Sequence, residues 1–137
     1  VVTSAGERDA SDGEGERAAI AAELLSSLRP ASGIRVVAHY APECVGTVFV
    51  REDVRQQFTD REMHKPIKDA VLDSLATGAL EELLDDDHLG TVRVFERRRI
   101  LYCSLSELSG VIVSLDSGAE LNDGDVFDAF EEVVSGG

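Results

Sequence analysis

The chain has 137 residues, 27 of them acidic and 13 basic, for a formal net charge of −14; that is one domain, able to bury roughly two-thirds of the surface its unfolded form exposes. Hydrophobic residues make up 43 % without any run near the ~20 apolar residues of a membrane helix, and the polar start VVTSAGERDASDGEGER lacks a signal peptide's apolar core. A soluble cytoplasmic protein is expected, with an acidic balance that disfavours nonspecific binding to nucleic acid.

Residues 1–15 are rich in Gly, Ser, Asp and Glu without periodicity, so a disordered acidic tail is expected there, followed by a single α+β domain over 16–137. From Glu16 a helical stripe begins: Ile20, Leu24 and Leu28, widened by Ala21 and Leu25, up to Pro30. IRVVAHY (34–40) and VGTVFVRE (45–52) read as strands joined by a turn at Pro42. Strict alternation puts Val45, Thr47, Phe49 and Arg51 on one face of the second strand, and Gly46, Val48 and Val50 on the other.

A multi-part helical crossover follows. EDVRQQF (52–58) makes about two turns. Thr59 and Glu62 form a capping box, Pro66 forces a kink or restart, and Ile67, Val71, Leu72 and Leu75 form a core-facing stripe. After Gly78 a shorter helix runs through Leu80, Leu83 and Leu84 into Asp85–Asp87. Three strands come next: LGTVRVFE (89–96), ILYCSL (100–105) and GVIVSL (110–115). A last helix, capped by Asp123 or Asp125, carries Val126, Phe127 and Phe130. The fold expected is a five-stranded antiparallel sheet in the order α-β-β-α-β-β-β-α.

That order over residues 16–134 resembles the roadblock and longin group, and also the PAS and GAF sensory domains. YAPECVGTVFVREDVRQQFTDRE and TVRVFERRRILYCSL are similar to a family of small uncharacterised haloarchaeal proteins. The carrying features are Phe49, Arg51-Glu52-Asp53-Val54, Phe58 and Thr59–Glu62; Pro66 and the later arginines depart from the pattern. This resemblance implies a fold and a source, with no activity. Composition agrees with that source, since eleven arginines stand against two lysines, Lys65 and Lys68, with no Trp. At ~1 M salt the Debye length is about 3 Å, so carboxylates repel one another little and keep the surface hydrated.

Little in the chain points to catalysis. It has no phosphate loop, GxSxG elbow or HExxH pair, and pairing Cys44 or Cys103 with His39, His64 or His88 needs a chance meeting. His39, Cys44 and His88 lack zinc spacing, and DSGAELNDGD misses the EF-hand register. No catalytic residue, cofactor or metal site is assigned, and the protein is read as a non-enzyme. Both cysteines are expected to be reduced core fillers.

Arg97–Arg99 are the feature that stands out. ERRR falls between two strands, where a type I-like hairpin tip would expose all three, and Arg93 precedes them. These four are the candidate partner contact. Molar salt weakens phosphate contacts more than bidentate or stacked arginine contacts with protein. The expected function is a non-enzymatic scaffold or regulatory module with a protein partner or a second copy of itself. The roadblock resemblance implies scaffolds or regulators of small GTPases. A PAS- or GAF-like small-molecule sensor is the alternative, and a nucleic-acid-associated protein using Arg93 and Arg97–Arg99 a further one.

Overall fold

The computed structural model describes residues 5–29, 31–42, 44–57, 81–106 and 108–136. Its elements are α1 (Ala5–Leu28), β1 (Ile34–Ala41), β2 (Cys44–Val50), α2 (Glu52–Gln57), β3 (Gly90–Val94), β4 (Arg98–Ser106), β5 (Ser109–Asp116) and α3 (Asp123–Gly136). The expected order holds, and the strands form one sheet in the order β2-β1-β5-β4-β3, antiparallel throughout. The capping box at Thr59–Glu62, the break at Pro66, the stripe from Ile67 to Leu75, Gly78 and Leu80 lie outside the described residues.

α1 and α3 pack together, with α1 also against β1, β2 and β5 and α3 against β4. The α1 stripe behaves as its spacing requires, with Ala21, Leu24, Leu25 and Leu28 buried against Val37, Leu101, Val111, Val113 and Leu115 of the sheet. From α3, Val126 and Phe130 enter the same core. On the other sheet face Tyr40, Tyr102 and Ile112 form a smaller buried cluster. The two tyrosine rings meet edge-on, 6.4 Å apart at 77°, the arrangement the ring quadrupoles favour.

The helix α1 begins at Ala5, so its bounds overlap the segment read from composition as a tail. Apolar periodicity reports a packed face, and helix propensity alone leaves no such pattern. Alternation in β2 breaks at Val48, because Val37 pairs with Phe49 but Ala38 with Thr47. That bulge sets Val48 and Phe49 against the main core while Val45 joins the tyrosine cluster. Residues 81–84 are helical, as expected, with Leu83 and Leu84 exposed. Asp85 then stops the helix in a left-handed conformation, φ 54°.

α3 is capped by Asn122, whose Oδ1 accepts the Asp125 N–H at 2.8 Å, in place of the two aspartates proposed. Asparagine is as good a cap as aspartate, and this one leaves Asp123 free for an arginine.

Candidate functional site

The expected arginine cluster is divided among different environments. The turn between β3 and β4 holds Glu96 and Arg97, closed by Phe95 N–H donating to the Arg98 carbonyl at 2.8 Å. Neither residue has a positive φ, as the type I-like expectation requires. Arg97 is exposed, with a loose ion pair to Glu96 at 3.9 Å. Arg98 and Arg99 belong to β4, whose alternation sends them to opposite faces.

Arg99 is drawn inward. Its Nη1 donates to Asp123 Oδ1 and its Nη2 to the Leu121 carbonyl at 2.8 Å, and the side chain is only 14 % exposed. Arg93 places its guanidinium over the Tyr102 ring, 5.9 Å from the centroid, a cation–π contact. Arg97–Arg99 therefore present no joint basic surface: one is in solvent, one is spent on α3, and Arg98 faces the opposite side.

β3 is the more informative element. Leu89 carbonyl accepts from Ser104 N–H, and Phe95 N–H donates to Arg98 carbonyl. Those two bonds fix the ladder phase: with Thr91 opposite Tyr102 and Arg93 opposite Ile100, the odd positions bond β4. The backbone N–H and C=O groups of Gly90, Val92 and Val94 then point away from β4. Among the described residues no strand pairs beyond β3. Along this open edge Leu89, Val94 and Phe95 are 55, 72 and 49 % exposed. Edge strands are commonly blunted by Lys or Pro; this one carries neither.

Polar side chains gather at three other places. At one end of the sheet Arg51 holds two carboxylates: Nε and Nη2 on Asp53 (2.6 and 3.0 Å), Nη1 and Nη2 on Asp116 (2.6 and 3.0 Å). Arg35 adds a 3.5 Å ion pair to Asp116. The Arg51 hydrogen bonds hold Asp53 down to about 2, and Arg51 followed by Arg35 lowers Asp116. No local signal exposed this group in the sequence, since it joins residues 65 apart.

Near α1, Arg17 Nη2 donates to Cys44 Sγ at 2.9 Å. Cys44 is thus a half-buried thiol with a polar partner, while Cys103 is the core filler expected; both are free. Burial pushes the Cys103 thiol up to about 12. His39, 4 % exposed, lies over Gly46. Desolvation lowers its pKa, Arg17 lowers it further, and Glu14 partly offsets both.

At the other end, His88 Nε2 is 3.0 Å from Thr91 Oγ1, and Nδ1 is 3.5 Å from Ser104 Oγ. Both ring nitrogens face hydroxyls, and among the described residues no carboxylate orients the ring toward Ser104. His64 lies outside the described residues. Glu81, Glu82 and Asp85–Asp87 line an open acidic depression. Among the described residues no group of three or more metal-binding side chains converges, and no helix is long and apolar enough to cross a membrane.

A solved structure described as a Roadblock/LC7 domain from Streptomyces avermitilis shares the fold, with a TM-score of 0.57 and 11 % identity, covering 85 % of this chain and 90 % of that one. No curated protein matches. The family model described as Domain of unknown function (DUF7522) matches residues 22–135, from the buried stripe of α1 to the end of α3, and the chain belongs to that family.

Proposed function

We propose that this chain is a non-enzymatic interaction module that pairs with a second copy of itself through the β3 edge, in a high-salt cytoplasm. The observation that carries the reading is the open row of Gly90, Val92 and Val94 backbone groups, flanked by the exposed Leu89, Val94 and Phe95. Antiparallel pairing of two such edges joins two five-stranded sheets and satisfies the free donors and acceptors. It also buries apolar side chains, an interaction that salt strengthens rather than screens. Of the four arginines first considered, Arg97 is the most exposed, and it lies at the turn that ends this same edge.

Val94→Pro tests the reading. The Val94 N–H points out of the sheet and its side chain is 72 % exposed, so proline removes an edge donor while sparing the β3–β4 ladder. Light scattering after size exclusion in about 2–3 M KCl should give a dimer for the parent and a folded monomer for the variant. A parent that is monomeric at all concentrations, or a variant that dimerises as well as the parent, refutes pairing through β3.

A further inference from the structure

Four segments meet at the end of the sheet where β1 and β4 begin and β2 and β5 finish. Arg51 N–H donates to the Arg35 carbonyl at 2.8 Å, Asp116 N–H to the Gly33 carbonyl at 2.9 Å, and Ser117 N–H to the Arg97 carbonyl at 3.0 Å. Across this corner the sheet carries Arg51, Arg35, Asp116 and Arg98 in a row, with Arg98 directly opposite Asp116 in the β4–β5 register.

The donors and acceptors in that row do not balance. Both Asp116 oxygens are taken by Arg51, at 2.6 and 3.0 Å, and Arg35 reaches one of them only at 3.5 Å. Asp53, the other carboxylate, is also held by Arg51. One guanidinium therefore occupies both acids. Arg35, whose side chain is 9 % exposed, shares an acceptor already in use. Arg98 has no carboxylate or carbonyl partner among the described residues.

The Nε of Arg35 and the Nε of Arg98 are both shielded from water without an acceptor. Three other arginines also have a shielded Nε, but their guanidinium groups are held otherwise: Arg17 Nη2 by Cys44, Arg93 over the Tyr102 ring, and Arg99 by Asp123 and the Leu121 carbonyl. Among the described residues, three guanidinium groups against two carboxylates leave the corner at +1 on a chain of −14. A shielded donor without an acceptor costs about 1–3 kcal/mol, and an arginine fork is shaped for two oxygens of one group.

We infer that Arg35 and Arg98, on either side of Asp116, form a binding site for an oxyanion from outside the chain, a carboxylate or a phosphate group. Arg51 does not take part, because its three nitrogens are already engaged by Asp53 and Asp116; its role is to keep Asp116 from neutralising the other two. With Asp116 and Arg51 part-exposed, the corner is reachable from solvent. The site stands apart from the β3 edge and does not depend on pairing there.

The test is a titration of isotope-labelled full chain at constant ionic strength, exchanging chloride for inorganic phosphate in one arm and for acetate in the other. The readout is the arginine Nε–Hε resonances. Saturable shifts at Arg35 and Arg98, without a comparable change at exposed Arg97, are expected. Saturation with phosphate alone identifies a phosphate ligand, and with acetate alone a carboxylate. Arg98→Gln should weaken binding about tenfold, the loss of roughly one charge-assisted contact, while Arg97→Gln leaves it unchanged. Shifts that grow linearly in both arms, or that are the same at Arg97 as at Arg98, overturn the assignment. The titration of the unaltered chain decides the matter even if Arg98→Gln does not fold.

Discussion

Replacing Gly46 with alanine puts a methyl group where the His39 ring lies. A Cβ at residue 46 would overlap Nε2 and sit 2.8 Å from Cε1 and 3.4 Å from Cδ2, and the nearest atoms it meets are all in that ring. His39 is buried to 4 % exposure, so the imidazole must leave a packed slot. Overpacking of this kind costs about 1–3 kcal/mol. In a His39→Ala background the slot is empty. The same Gly46→Ala change should then be neutral or stabilising by up to ~1 kcal/mol, because alanine loses less backbone freedom on folding. The two substitutions are therefore coupled by about 1–4 kcal/mol. Urea unfolding of all four proteins, followed by far-UV circular dichroism at fixed salt and pH, measures that difference. Were Gly46→Ala to cost the same in both backgrounds, within ~0.5 kcal/mol, the cross-strand packing of His39 on Gly46 would be refuted.

The same histidine predicts a pH effect. Its folded pKa lies below the ordinary ~6.5, so the unfolded chain binds the extra proton first. Stability is complete above about 6.5 and falls as pH drops from there through the folded pKa, by at most ~1.4 kcal/mol per pH unit. His39→Ala should lose this component, and an unchanged slope between about pH 6.5 and 5 would contradict it. A chromogenic disulfide reagent should titrate one thiol, Cys44, quickly in the native protein and the second only in urea, since Cys103 is buried with its pKa pushed up to about 12. Fast modification of both would mean that the sheet opens readily at β4. Asn122→Ala should destabilise by about 1 kcal/mol through loss of the α3 cap, seen as a lower urea midpoint with the m-value unchanged.

Features carried by neighbouring residues were legible in the sequence. The α1 stripe from Ala21 to Leu28 and the five strands announce themselves by period, and the strand count with its long crossover is enough for the sheet. Three kinds of feature escaped. The Val48 bulge depends on how two strands pair, and alternation along one strand cannot contain it. The part of α1 before Glu16 carries no apolar period, so spacing alone does not announce it. ERRR looked like one basic patch because three arginines are adjacent in sequence. Strand geometry sends Arg98 and Arg99 to opposite faces, and each takes its environment from residues far along the chain: Asp116 beside one, Asp123 bound to the other.

These arginines show how a chain of −14 uses its few cations. Arg51 reaches Asp53 in the first turn of α2, and Arg99 reaches Asp123 in the first turn of α3. Each aspartate already suits the positive end of its helix, so the arginine reinforces an interaction the helix favours and ties the helix start to the sheet. Arg99 is largely withdrawn from solvent, which limits how far added salt screens its pair with Asp123. A chain at −14 whose arginines are engaged in this way is left with little positive charge to attract partners over a distance. The two proposed sites rely instead on contacts that salt spares: backbone hydrogen bonds and apolar side chains along β3, and charge-assisted bonds from Arg35 and Arg98 to an oxyanion.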